Sequence, residues 1–449
     1  MGQSTEDKKD SLSRRLIAIR RDLHCYPESG WQEYRTSVRI IEHLEEWGVK
    51  YQFGKEILDP KLRRGCPNEQ EDKKAIKRAV KETKRSDLIA KMEGGFTGVI
   101  ARIEGEKRSS EKRPVFLLRF DMDANEIQEC TSEEHRPYKE GFVSLHDGIM
   151  HACGHDGHVA IGLGVIKQLQ ENRDLFHAEI RILFQPAEEG VRGAAAFAKT
   201  NLTQGVDYML SGHIGLNANR LGMFAAATTE FLATTKMKVS FYGKASHAGN
   251  CPQEGKNALA AACNATLNIL GISRHSEGDS RVNVGALRAD GPANIIPDYA
   301  ELVLETRGST NEVNQYMQKR VETICEGAAE MEGCKHKLEI IGEAGCASCN
   351  TELAAFVVQQ AKANPFFDQI VDELEFHASE DVTELLNAVH GQGGKATYML
   401  FGTSLSAPHH NDCFDFDEGV LEPAAELFFQ CILELCKKKE ISQLIPKKN

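Results

Sequence analysis

No stretch of this chain approaches the roughly 20 consecutive apolar residues that a bilayer-spanning helix needs. The charged run from Met1 to Arg15 also lacks the apolar segment of a secretory leader. The opening Met-Gly has Glu6 where an N-acylation motif wants Ser or Thr, so no membrane role is expected. Positive charge is scarce too. The chain carries 54 basic against 66 acidic residues, a net charge of −12, and such a surface repels phosphate and disfavours nucleic acid as a partner. The 13 cysteines are odd in number and scattered, which argues against a disulfide framework and for a reducing, cytoplasmic compartment. Cys346 and Cys349 form a lone C-x-x-C with no second pair or thioredoxin-like context, and read as two incidental thiols.

What is present is length and ordinary globular content: 449 residues, 41% hydrophobic, enough for large cores in two domains or in one with an insertion. The densest chemistry lies in MHACGHDGH, residues 150–158, where three histidines, a cysteine and an aspartate precede an apolar helix at 159–169. Imidazole, thiolate and carboxylate hold borderline transition metals. Cys153 and His155, two apart beside glycines, can be aimed at one ion from a tight loop.

The other candidate ligands follow apolar strands, and open α/β sheets carry their chemistry at strand C-termini. The run 114–120 ends in Asp121 and Asp123; EIRILF, 179–184, runs into Glu188 and Glu189; the strand at 207–211 leads to Gly212-His213; and the strand at 395–402 leads to His409 and His410. Cys153, His155, Glu189, His213 and one of His409 and His410, with Asp121, Asp156 and Glu188 nearby, exceed what one tetrahedral ion takes and point to a two-metal centre acting on one carbonyl. A glutamate free of the ions would serve as general base and then protonate the leaving amine, the chemistry of amide hydrolysis. Elsewhere, 11–48 reads as a helical region broken near 26–30, with His24, Glu28 and Glu33 as turn and cap residues. A strand is expected at 96–103, helices at 193–199 and from 378–381 to 389, and the charged stretch 50–91 reads as a solvated helix or regulatory flap. Asp417 and Glu418 are accounted for as caps of a terminal helix, 419–437.

From Phe231 the pattern changes to alternating strands. Segments 233–242, 257–272, 280–287, 300–307, 310–331 and 335–342 read β-α-β-β-α-β, a ferredoxin-like unit inserted in the chain. Its open edge strand favours self-pairing. His247, Asn294 and Arg307 stand out within it.

The series RFDMDA, HACGHDGH, QPAEEG, GHIG, KASHAG, NIIP with Arg307, SED and HHNDCFDFDE resembles the metal-dependent amidohydrolases of the aminoacylase and indole-acetyl-amino-acid hydrolase family. The likeness runs from about residue 14 to 435 and includes GWQEYRT, EGGFTGVIA, HRPYKEGF and RVNVG. It implies an α/β fold of two domains: a zinc-peptidase-like catalytic domain in two parts, 1–228 and 343–449, and a ferredoxin-like lid and dimerisation domain, 229–342. By resemblance Cys153, His155, Glu189, His213 and His410 are the metal ligands, His410 being chosen by its spacing before FDFDE. Glu188 is the general base and Asp121 the orienting aspartate. His247 contacts the substrate or the oxyanion, with reach across a dimer, and Asn294 and Arg307 bind the substrate carboxylate.

The resemblance also implies two divalent ions, manganese first and zinc second, since a thiolate ligand disfavours magnesium and calcium. The expected substrate is a small N-acyl amino acid, first an aroyl-glutamate such as p-aminobenzoyl-glutamate, a reaction of folate catabolism; an indole-acetyl-aspartate or a general N-acyl amino acid is the alternative. A homodimer or a heteromer with a related B subunit is expected. The reading from another class, an inactive metal-binding or dimerising relative, would be marked by loss of the base or a ligand, and both are present.

Overall fold

The computed structural model of the protein describes residues 5–106 and 113–437. Among these, the strands are β1 (Lys50–Phe53), β2 (Val99–Glu104), β3 (Val115–Asp121), β4 (Glu179–Gln185), β5 (Tyr208–Ile214), β6 (Met223–Thr229), β7 (Ala233–Tyr242), β8 (Ser280–Arg288), β9 (Tyr299–Gly308), β10 (Lys335–Ala344), β11 (Gln369–Glu375) and β12 (Lys395–Phe401). They form an eight-stranded sheet in the order β1-β2-β4-β3-β5-β12-β6-β11 and a four-stranded sheet in the order β10-β7-β9-β8.

At the centre of the large sheet, β4, β3, β5 and β12 run parallel. Their near-continuous apolar sequences, such as VFLLRFD in β3, are what a strand covered on both faces requires. Alternation sends Phe116, Leu118 and Phe120 into one core and Leu117 into the other. Each buried phenylalanine contributes about 1.5–3 kcal/mol. Helix His155–Glu171 lies on the first face, where Gly162 has no room for a side chain: a Cβ there would sit 2.7 Å from Phe120. That close packing holds the helix N-terminus, and the cysteine and histidine just before and at it, over the strand ends.

The small sheet is antiparallel throughout, with β8 at its edge, and packs helices Ala258–Leu270 and Asn311–Met331 around a core of its own. This is the inserted ferredoxin-like order expected from the sequence.

Several local expectations need correction. The stretch 50–91 does carry a largely exposed surface helix, but it is not wholly solvated. It contributes β1 to the sheet, and helix Glu69–Thr83 starts at a capping box built by Asn68 and Glu71 and buries Ala75 and Ala79. Most of its charged residues form the outer face, with Asp72 turned inward to the Tyr34 hydroxyl, so a composition average concealed the buried face. Strands β6 and β11 went unforeseen because MFAAATT and QIVDELE lack the bulky alternation of a sheet strand. The helix expected at 193–199 is one turn, Ala195–Ala198, and the strand expected from Phe96 begins at Val99, whereas the loop 378–381 does open a helix, Val382–His390, as expected. Cys346 and Cys349 engage separate backbone groups, Ser309 and Thr228, as two incidental thiols would. No helix among the described residues is long and apolar enough to cross a membrane.

Candidate metal centre

Four segments meet at the C-terminal ends of the parallel strands: the turn before helix His155–Glu171, the loop after β4, the end of β5 and the loop after β12. They gather Cys153, His155 and His213 into one group, Cys153, Glu189 and His410 into a second, and His155, Glu188 and Glu189 into a third, with the potential ligand atoms of each within 4.8 Å of one another. Two groups sharing Cys153 describe two adjacent positions. The Cys153 Sγ is 3.4 Å from His213 Nε2, and Glu189 Oε1 is 3.3 Å from His410 Nε2.

The chemistry of this donor set fits a metal. His155 Nε2 and Glu189 Oε1 are buried and make no aligned hydrogen bond, an arrangement that is costly unless something electrophilic completes it. The other nitrogen of His155 faces the Asp123 carbonyl at 2.9 Å and that of His213 the Ile214 carbonyl at 2.8 Å. A carbonyl only accepts, so each Nδ1 carries the proton and each Nε2 lone pair points into the cluster.

The same reasoning sets His158 apart. Its Nε2 accepts the Ile214 N–H at 2.9 Å and its Nδ1 faces Asp121 Oδ1 at 2.5 Å, so both nitrogens are engaged. His409 is likewise turned to the Ile214 carbonyl, 3.2 Å away, and burial holds its pKa down to about 4; His410 is the one grouped with Cys153 and Glu189. His410 sits in the left-handed region (φ +64°), with its N–H donating to the Ala152 carbonyl at 2.8 Å, which ties the two loops together.

Carboxylates that contact backbone rather than ligands fix the loop after β4. Asp123 accepts the N–H groups of Glu188 at 2.9 Å and Glu189 at 3.0 Å; Glu33 accepts that of Ala187 at 2.8 Å; Asp381 accepts those of Gly193 and Ala194 at 2.9 and 2.8 Å. Ala187 and Val191, at φ +55° and +57°, are held where side chains are strained. Burial, then the negative charges of Glu380, Glu189 and Asp381, push Glu188 well above the usual carboxylate range. Asp121 goes the other way: burial alone would raise it, but the charges of His155, His158 and Arg119 hold it well below. Arg119, fully buried, also donates to Gln185, Glu380 and Asp381 at 2.9, 3.0 and 3.0 Å.

Other expectations fare differently. Asp156 turns from the cluster to Arg20 and His24, 2.8 Å from each. Glu418 is no mere cap: it is buried and receives Arg20, Arg21 and Arg136, while Asp417 does cap the turn at Gly419. His24, Glu28 and Glu33 are fully buried; Glu33 stands at the N-cap of helix Tyr34–Glu46 and Glu28 accepts the N–H groups of Arg35 and Thr36 in its first turn, as cap residues would, while His24 lies between Asp156 and Glu129. Arg20 and Glu129 escaped the sequence reading. Arg20 stands in the same stripe as Leu16, Ile19 and Leu23, and a charge inside a hydrophobic stripe was the available signal.

His247 and Asn294 are exposed in adjoining loops of the small-sheet unit, joined through the Ala248 N–H to the Asn294 carbonyl, and Arg307 pairs with Glu305 at 2.9 Å. Among the described residues no hydrogen bond or ion pair brings these three to the cluster. His247 Nδ1 accepts two backbone N–H groups, from Gly249 and Asn250, which leaves Nε2 as its donor.

Comparison with known proteins places these features in context. The profile of peptidase family M20/M25/M40 matches residues 117–434. One subunit of the p-aminobenzoyl-glutamate hydrolase of Escherichia coli K12 is 41% identical over 418 residues, 93% of this chain and 95% of that one. The indole-3-acetyl-aspartic acid hydrolase of Enterobacter agglomerans is 40% identical over 408 residues, 91% and 92% of the two chains. The crystal structure of an aminobenzoyl-glutamate utilization protein from Klebsiella pneumoniae superposes with a TM-score of 0.81 at 32% identity, covering 96% of this chain and 98% of that one.

Proposed function

The chain belongs to peptidase family M20/M25/M40, and on that footing we propose that it hydrolyses the amide bond of an N-acyl amino acid, first p-aminobenzoyl-glutamate to p-aminobenzoate and glutamate. It is a metal-dependent amidohydrolase. The observation that carries the proposal is the pair of ligand groups sharing Cys153, with Glu188 beside them at a raised pKa.

Cys153, His155, Glu189, His213 and His410 would hold two divalent ions, manganese before zinc. Bound there, such ions polarise an amide carbonyl and acidify water. The Glu188 carboxylate takes a proton from the attacking water and returns it to the departing amide nitrogen, and a raised pKa makes it the stronger base for the first of these steps. Asp121, anchored by Arg119 and His158, orients the cluster without supplying a proton. The unit at 229–342, inserted between 1–228 and 343–449, would act as lid and dimerisation domain. His247, with Nε2 free to donate, would approach the developing oxyanion on closure or from a second copy, and Asn294 and Arg307 would take the amino-acid carboxylate. A homodimer or a pairing with a related B subunit fits the exposed edge of β8. Thirteen free thiols fit the cytoplasm, and folate catabolism is the corresponding role.

The test is release of p-aminobenzoate by the purified chain, stripped of metal and then reconstituted with manganese or zinc. Metal-dependent release supports the proposal; no release with metal bound overturns the substrate. The near-equal identity to the indole-3-acetyl-aspartic acid hydrolase sustains a second reading, with indole-acetyl-aspartate as substrate, and a panel of acyl halves separates the two.

A further inference from the structure

A cavity of about 880 Å³ opens beside the cluster, reaching it at Glu189, with walls from both the large-sheet unit and strands β7 and β10 of the small sheet. That size suits a small organic ligand. The charged side chains lining it divide by whether they are neutralised. Arg64 pairs with Glu343 at 2.7 Å, Lys238 with Glu301 at 2.9 Å, and Glu339 with Lys337 at 2.9 Å. Arg63, Arg192 and Lys236 also line the cavity, and among the described residues none of them has an ion-pair partner.

The two arginines are nonetheless held in position. The Arg63 guanidinium lies between the rings of Trp31 and Phe96, 4.5 and 4.3 Å from their centres, and donates to the Gly94 carbonyl at 2.7 Å. Its Nε is buried without a partner, and burial pushes its pKa down, as happens to a guanidinium with no anion beside it. Arg192 is fixed by carbonyls, donating to Glu189 at 2.7 Å and Gly65 at 3.2 Å. Lys236 on β7 stands across from Glu305 on β9, but Glu305 is taken by Arg307 at 2.9 Å. The opposing charges in the lining are exposed Glu126 and Glu189, the latter a member of the cluster. Partly desolvated cations held by neutral groups gain most from an arriving anion, because their desolvation cost is already met.

The two relatives differ in acyl half and agree in one respect: their names specify glutamate and aspartate, both dicarboxylic. We propose that Arg63, Arg192 and Lys236 form a subsite for the side-chain carboxylate of an acidic amino acid, so that the enzyme selects its substrate at the amino-acid half. This rests on the reading of the chain as an N-acyl-amino-acid hydrolase.

The experiment compares p-aminobenzoyl-glutamate with p-aminobenzoyl-glutamine, equal in shape and lacking one charge, on the metal-loaded full chain and on Lys236→Met, Lys236→Gln and Lys236→Arg. The wild type is expected to favour the glutamate substrate by about 100-fold in kcat/KM. Lys236→Met and Lys236→Gln should erase about tenfold of that preference through KM, with kcat and the glutamine substrate changed less than about twofold, and Lys236→Arg should restore it. Equal rates on both substrates in the wild type, or equal losses on both in the variants, overturn the subsite. Should neither be cleaved, the p-aminobenzoyl substrate reading fails, and calorimetric binding of L-glutamate against L-glutamine decides the subsite alone. Glutamate-selective binding that Lys236→Met abolishes supports it, and absence of selectivity overturns it.

Discussion

His155 donates its Nδ1–H to the backbone carbonyl of Asp123 at 2.9 Å, and this one contact decides which ring nitrogen remains for chemistry. The side chain of the same aspartate accepts the N–H groups of Glu188 and Glu189. A single residue between β3 and the next turn thereby sets the tautomer of one proposed ligand and the position of another, together with the proposed base.

Asp123→Ala should therefore act on structure and metal together. Two buried N–H groups lose their acceptor at about 1–3 kcal/mol each, and the loop carrying Glu188 and Glu189 is released. We expect unfolding free energy to fall by about 2–4 kcal/mol and metal affinity by about 10–100-fold, read by denaturant melts and metal titration. Unchanged metal affinity would mean that the loop is held by Glu33 and Asp381 alone.

Glu188→Gln keeps size and removes the proton acceptor. Turnover should drop by about 10²–10⁴-fold with metal content unaltered, measured by steady-state kinetics beside elemental analysis. Cys153→Ala, which lies in both ligand groups, should instead empty the site. Retained turnover in Glu188→Gln would sink the assignment of the base.

Metal removal should cost stability as well as activity, since His155 Nε2 and Glu189 Oε1 make no aligned hydrogen bond within the protein. With free metal at about 100 times its Kd, binding contributes about 2.7 kcal/mol. Chelation should lower the Tm and re-addition should restore it, and a Tm indifferent to chelator would contradict the site.

The acid limb of stability should carry the signature of Glu129. Burial alone would raise its pKa, but hydrogen bonds from His135 and His24 bring it down to about 2 from an ordinary 4.5. A carboxylate depressed in the folded state stabilises above the unfolded value, and that contribution is lost as pH falls from about 4.5 toward 2. Urea melts across this window should show Glu129→Gln less stable than wild type near neutrality and less sensitive to acid below 4.5.

Buried Arg20 binds Asp156, Asp415 and Glu418, from segments far apart in the chain. Arg20→Met would take from three carboxylates the one cation they share, leaving Asp156 with His24 alone, and unfolding free energy should fall by about 3–5 kcal/mol. A loss below about 1 kcal/mol would show that Arg21 and Arg136 suffice.

Local patterning in the amino acids was enough to specify the apolar strands of the central sheet, the β-α-β-β-α-β order of the inserted unit, and the ligand-bearing motifs at strand ends. Each of these is a property of a short segment: a strand's hydrophobicity, a period of two, a cluster of imidazole and thiol within a few residues. It took the folded chain to show that Asp156 turns to Arg20, that 50–91 adds a strand to the large sheet and buries one helix face, and that Arg63, Arg192 and Lys236 share one cavity. Those outcomes depend on which groups meet across as many as several hundred residues, and a side chain's partner, tautomer and charge state are set by that meeting rather than by its neighbours along the chain.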